Sequence, residues 1–284
     1  MYLKHDILNI TIGRVTFESS AEAAGVPAFV LDPDAIIGWT DGVSIKREIT
    51  PRALAWGDFP ERGYMTSRTI TLTGTAIATS PQELHFMRDV LAGLLIHGEF
   101  EEMEVRNLSG SRFAWVSLAG PLNWIQKSDN IASWKMELYA DDPRIYGLEQ
   151  SLRISDSSVV GGLKYPVRYP INYNAGRLAS GTIKNNGNSD MYIKAVVTGD
   201  FYSGFSIENG RGKVVTYTGI VTTNSPVTID MMKQTASQSG MDRSTFLQTR
   251  GFFTVAPDET IAPKFTPRLA GAGWCDVMYR DTWI

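Results

Sequence analysis

Trp134-Lys135-Met136-Glu137-Leu138-Tyr139-Ala140-Asp141-Asp142-Pro143-Arg144-Ile145-Tyr146-Gly147 decides how this chain is read. Trp134, Met136, Leu138 and Ala140 alternate with Lys135, Glu137 and Tyr139, which predicts a strand with one apolar and one more polar face. Asp142-Pro143 predicts its end, because proline lacks the N–H a ladder needs and restricts the residue before it. The stop falls near the middle of 284 residues. A chain of that length accommodates two cores, so the expected domains are 1–147 and 148–284.

Strand signals dominate on both sides of this stop. Residues 7–17 read as one strand with Gly13 inside it. Ile36-Ile37-Gly38-Trp39 leads through a Thr40-Asp41-Gly42 turn into 43–49. Over 68–78, Thr69, Thr71, Thr73 and Thr75 alternate with Ile70, Leu72, Gly74 and Ala76, a strand with a solvent- or subunit-facing threonine side. One helix stands out, over 81–97. Ser80-Pro81-Gln82-Glu83 is a capping box with proline at the first helical position, Leu84, Met87, Leu91 and Leu94 form a stripe, and His97-Gly98 is the expected stop. Two hairpins follow, one turning at 107–112 and one at Lys127-Ser128-Asp129-Asn130.

The second half begins with a strand at 151–156 and a Pro- and Gly-containing connection through Pro170. Asn185-Asn186-Gly187-Asn188 and Glu208-Asn209-Gly210-Arg211-Gly212 read as tight turns between short strands. Val227, Ile229 and Met231 alternate, 233–250 reads as a long polar surface loop, and 277–283 as a last strand. Short strands with regular turns predict a β-sandwich or jelly roll. The expected class is mainly β, a β-rich N-terminal domain with one α-helix followed by a sandwich.

Composition narrows function mostly by exclusion. Charged residues make up 20%, the formal net charge is −3 and the pI is near 5.7, so there is no global pull toward nucleic acid or acidic membrane. No apolar run of about 18 residues predicts a membrane helix. Residues 1–6 lack a signal-peptide core, which argues against secretion by the usual route. Cys275 is the single cysteine and reads as a buried inert thiol. His5, His85 and His97 have no metal-ligand spacing, and no H-E-x-x-H, G-x-S-x-G, C-x-x-C or P-loop pattern occurs. No catalytic, cofactor-binding or metal residues are expected. Glu99, Glu101, Glu102 and Glu104 read as a solvated strand edge rather than an acid/base pair or cation site; a negatively charged channel lining is a third reading. Trp39, Trp115, Trp124 and Trp134 read mostly as core, and Trp274 and Trp283 as core ahead of a carbohydrate-stacking platform.

Three stretches together resemble the distal tail proteins of long-tailed bacteriophages. They are Ile36-Ile37-Gly38-Trp39-Thr40-Asp41-Gly42-Val43 with Pro51-Arg52; Gly57-Asp58-Phe59-Pro60-Glu61-Arg62-Gly63 leading into 68–74 and the helix; and the W-x-x-x-L-x-A-x-DPR-x-Y ending at 134–146. In the second half, 181–190 and Val227-Thr228-Ile229-Asp230 resemble segments of that family's galectin-like C-terminal domain. The resemblance implies a hub domain followed by a galectin-like β-sandwich. It also implies a non-enzymatic virion protein of the tail tip, a homohexameric ring that continues the DNA channel. Its expected partners are the tail tube protein, the tape-measure protein and a tail-tip hub or tail-associated protein, with DNA only in transit and no membrane. The alternative is a carbohydrate-binding protein that recognises host cell-wall glycan through the sandwich.

The loop from Arg47 to Arg68 is the expected subunit contact. Arg47, Pro51, Arg52, Trp56, Phe59, Arg62, Tyr64 and Arg68 place aromatics and arginines in a segment punctuated by proline and glycine, a composition typical of protein–protein contact. A self-packed surface loop is the competing reading. Strand addition between neighbouring subunits is a further expectation, since ring closure hides sheet edges.

Overall fold

In the computed structural model, which describes residues 7–20, 22, 25–155 and 181–284, the chain divides into two compact units. Met1–Gly147 with Ile284 form one unit and Leu148–Trp283 the other. The first unit is built from β1 (Ile7–Ile12), β2 (Val15–Glu18), β3 (Ala28–Ile37), a short pair β4 (Ile45–Lys46) and β5 (Tyr64–Met65), β6 (Arg68–Ile77), helix α1 (Pro81–Gly93), β7 (Glu101–Asn107), β8 (Gly110–Leu118), β9 (Asn123–Gln126), β10 (Ile131–Ala140) and β11 (Ile145–Tyr146).

Strand β10 organises this unit. It pairs with β6 along its whole length, from Ile131↔Ile77 to Ala140↔Arg68. Trp134, Met136, Leu138 and Ala140 are buried, as the alternation predicts, and Lys135 and Tyr139 are exposed. Trp134 lies opposite Gly74 and packs against Phe17, ring centroids 4.9 Å apart with the planes tilted by 44°. A Cβ on Gly74 would sit 2.5 Å from the Trp134 ring, so the strand has room for the indole only because that side chain is missing. Beyond the strand end, Asp142 accepts two bonds from the Arg144 guanidinium (2.7 and 2.9 Å) and one from the Tyr146 hydroxyl (2.5 Å). These interlocked side chains hold the turn that Pro143 initiates.

The sheet runs β8-β7-β1-β2-β3-β6-β10, and β10 also pairs with β8, so the wall closes on itself. Closure of this wall therefore occurs within one chain. Glu101, Glu102 and Glu104 lie on β7 between β1 and β8, so they belong to an inner strand rather than an edge. Residues 7–17 are a hairpin, not one strand. Gly13 at φ +56 allows a two-residue turn that returns the chain at Ile12↔Val15. The β7–β8 turn is also tighter than predicted, with Asn107 paired to Gly110.

Helix α1 starts where predicted. The Ser80 hydroxyl accepts from the Glu83 N–H, while Glu83 reaches back to the Thr79 N–H at 2.7 Å and its hydroxyl at 2.5 Å. Leu84, Met87 and Leu91 are buried. The helix stops at Gly93, short of the expected 97, because Leu94 is extended and Leu95 takes φ +59. That unwound turn buries Leu95, a gain the continuing helix would forgo.

The second unit comprises β12 (Gln150–Ser155), β13 (Ile183–Lys184), β14 (Met191–Asp200), β15 (Phe205–Glu208), β16 (Val214–Tyr217), β17 (Val227–Asp230), β18 (Thr235–Gln238), β19 (Met241–Asp242), β20 (Leu247–Arg250), β21 (Thr254–Val255), β22 (Thr260–Ile261), β23 (Lys264–Pro267) and β24 (Ala272–Tyr279). One sheet runs β12-β24-β14-β17-β18-β19 and another β20-β16-β15-β23. Inward residues of both, including Ala195, Val197, Ile229 and Val277 from the first and Phe205, Ile207, Tyr217 and Phe265 from the second, share one buried cluster. The architecture is mainly β, and this unit is a two-sheet sandwich. The Asn185 turn is held by its own buried side chain, which donates to the carbonyls of Ser189 and Val255 at 2.7 and 2.9 Å. Residues 233–250 are not a long loop. They form β18, β19, a 3-10 turn and β20, with Ala236 buried between half-exposed Thr235 and Ser237. The connection through Pro170 lies outside the described residues.

Candidate functional site: an exposed arm on the first unit

Between β3 and β6 the chain leaves the barrel wall as a narrow two-limbed arm. Its limbs pair at Ile45↔Met65 and Lys46↔Tyr64. Further out they bridge at Pro51↔Asp58, where the Arg52 N–H donates to Gly57 O at 3.2 Å and the Phe59 N–H to Thr50 O at 3.0 Å. Proline suits this ribbon, because it lies outside any sheet interior.

The arm carries apolar side chains that are exposed among the described residues. Leu54 is 101% exposed, Trp56 98%, Ile45 and Ile49 64%, Phe59 54% and Met65 50%. Single exposed apolar residues are ordinary, whereas a set of them on one projection is the less common arrangement and the one that needs a reason. Two local pairs stiffen it. The Arg52 guanidinium lies over the Phe59 ring at 5.5 Å and that of Arg62 over the Tyr64 ring at 5.7 Å.

The structure thus places Arg47, Pro51, Arg52, Trp56, Phe59, Arg62 and Tyr64 on the exposed arm. Arg68 is a correction, because it is buried at the arm's root. Its Nε donates to Pro143 O at 3.0 Å, and its Nη1 donates to Gly38 O, Trp39 O and Asp41 O at 2.7, 3.0 and 3.0 Å. Burial lowers its pKa from the usual guanidinium value, against the raising influence of Asp41. Gly38, at φ +84, lies so close to the Thr69 carbonyl that a Cβ would fall 2.1 Å from that oxygen. The root is therefore intramolecular, and the exposed apolar set begins beyond it. Sequence reasoning missed Leu54, Ile45, Ile49 and Met65; the signal was apolar residues in a Pro- and Gly-punctuated stretch too irregular to be a buried strand.

Other side chains singled out from sequence are occupied internally. Cys275 is buried, and burial, with the neighbouring Asp276 carboxylate, pushes its thiol pKa up, the opposite of an activated nucleophile. Trp274 is half-exposed rather than core, but Arg153 covers its ring at 4.7 Å while making two bonds to Asp276 at 2.7 and 3.0 Å. A sugar stacking there would have to displace the protein's own guanidinium. Trp39 and Trp134 are buried; Trp115 and Trp124 are only partly so. Among the described residues no cluster of His, Cys, Asp and Glu has the arrangement of a metal site, and no helix is long and apolar enough to cross a membrane.

No protein-family model and no curated protein matches this chain. Solved structures do. The SPP1 Dit protein, described as a paradigm of the hub adsorption apparatus of phages that infect Gram-positive bacteria, superposes with a TM-score of 0.64 at 11% identity, over 97% of this chain and 99% of that one. This chain has the fold of a phage hub protein. A chain of the phage p2 baseplate, in its activated conformation with strontium, is also similar, with a TM-score of 0.52 at 10% identity over 95% of this chain and 97% of the other. Both likenesses extend over almost the whole chain, so the hub fold embraces the barrel and the sandwich together.

Proposed function

We propose that this protein is a structural component of a phage tail tip. Six copies form a ring at the distal end of a long non-contractile tail. The ring joins the tail tube to tail-tip or baseplate proteins, docks the tape-measure protein and continues the DNA channel. The protein is assembled in the host cytoplasm and acts in the virion, without catalysis. The observation that carries this reading is the arm. A chain with the hub fold projects Leu54 and Trp56 fully into solvent from a rigid root, and a neighbouring subunit is the partner that would cover them.

Light scattering on the full chain tests it. A ring of six copies at 31.4 kDa has a mass of about 188 kDa. Trp56→Ala is expected to shift that mass toward the monomer without unfolding the protein. A monomer at every concentration, and in the presence of the tail tube protein, would overturn the ring.

A further inference from the structure

Among the described residues nothing covers the arm tip, and the first unit carries a groove of matching chemistry. Helix α1 lies beside the seam where β2 meets β3. That seam is short and parallel, paired only at Phe17↔Phe29 and Glu18↔Val30. Between helix and seam is a cavity of about 400 Å³ whose apolar lining includes Pro27, Phe29, Phe86, Met87 and Val90. Phe86 and Val90, one helical turn apart, form a second stripe beside the buried one, and Phe86 is left 67% exposed. Two carboxylates, Glu18 and Glu83, border the same cavity. Glu83 is fixed in place by its bonds to Thr79, which also hold its carboxyl below the usual carboxylate range.

We propose that this groove receives the arm tip of a second copy of the chain, with Trp56 and Leu54 seated beside Phe86 and Phe29 and the Arg52 guanidinium facing Glu18 and Glu83. The inference rests on the reading of the arm as a subunit contact and names the surface it contacts. Three observations select this occupant. The arm does not fill its own groove, since Trp56 and Leu54 are 98% and 101% exposed. A limb running from Ile45 to Leu54 reaches on the order of 30 Å at the rise of a strand, enough to cross onto a neighbour. The chemistry also matches, an aromatic and a leucine flanked by arginine on one side and an apolar cleft bordered by two carboxylates on the other. Arm and groove are different patches, so each copy gives one arm and accepts one. Such head-to-tail contacts generate rings when the rotation closes.

Cysteine cross-linking of the full chain tests this, because Cys275 is buried and silent. Ala55→Cys, beside Trp56, and Thr16→Cys, in the groove, keep every apolar anchor. Mixed as two separate variants under a mild oxidant, they are expected to give a disulfide-linked pair that neither variant gives alone. The chain carrying both is expected to give a ladder of linked subunits up to six. Phe86→Glu, at an exposed position, is expected to weaken assembly at least tenfold while the urea midpoint stays put. A mass near the hexamer with no 55–16 cross-link, or with assembly indifferent to Phe86→Glu, overturns the groove and leaves the ring standing. A monomer without cross-links at every concentration, and with the tail tube protein present, overturns both.

Discussion

Trp134 and Trp56 sit in the same unit and differ by almost the whole range of exposure, 2% against 98%. The barrel wall surrounds its indole with Phe17, Phe29 and a glycine that makes room for it. The arm presents its indole bare, on a ribbon of few backbone bonds. The hydrophobic effect has the same sign at both places, about 25 cal/mol per Å² of apolar area removed from water. The wall realises it in folding. The arm leaves it unrealised, with Leu54 and Trp56 still in water. Exposed apolar area on a rigid root is thus as informative about function as a catalytic residue would be.

Substitutions can break or sharpen that contrast. The largest effect is expected from Trp134→Ala, which leaves a cavity opposite Gly74 and should lower stability by about 3–5 kcal/mol in urea unfolding. Arg68→Met strips the donors from four main-chain carbonyls and should cost roughly 2–4 kcal/mol, with Arg68→Lys recovering little because a point charge cannot span the fork. Faster proteolysis inside 39–67 would report the loosened root. Gly74→Ala forces a methyl against Trp134 and the Val30 carbonyl, and should cost about 1–3 kcal/mol. Trp56→Ala should move stability by no more than about 0.5 kcal/mol, and its effect should appear in the solution mass alone. An equal loss of stability at Trp56 and Trp134 would erase the contrast. The smallest effect concerns acid. The Glu83 carboxyl titrates lower folded than unfolded because of its bonds to Thr79, so its support of the helix start is present above the unfolded value and fades as pH falls through the folded one. The Thr79 amide shift, followed by NMR, should titrate below the usual carboxylate range.

The sequence was most legible where one face of an element is buried. β10 and its Asp-Pro stop, the threonine face of β6, the N-cap of α1 and the Asn185 turn all follow from local pattern, because burial and hydrogen bonding there obey a fixed period. Where tertiary packing outweighs local pattern, the reading failed. Leu95 leaves the helix to reach the core, which no local stop signal at Gly93 announces strongly. Gly13 turns a chain whose alternation runs unbroken through it. The strands of 233–250 bury only Ala236 and Leu247, so their otherwise polar composition mimics a loop. Among the arm residues, seven of the eight expected from composition are exposed on it. Arg68 was misassigned because an arginine near aromatics looks the same whether its fork meets a neighbour or four carbonyls of its own backbone.

That guanidinium has an evolutionary corollary. Gly38, Trp39 and Asp41 stand where the chain departs from the wall, and Arg68 stands where it comes back. One side chain therefore knots both ends of the excursion, and the barrel beneath is insulated from whatever lies between them. Lengthening, shortening or rewriting the segment would leave the scaffold undisturbed, since closing a longer loop adds only about 0.6 kcal/mol per doubling. The arm is in this sense an interchangeable cassette, open to change while the wall stays the same.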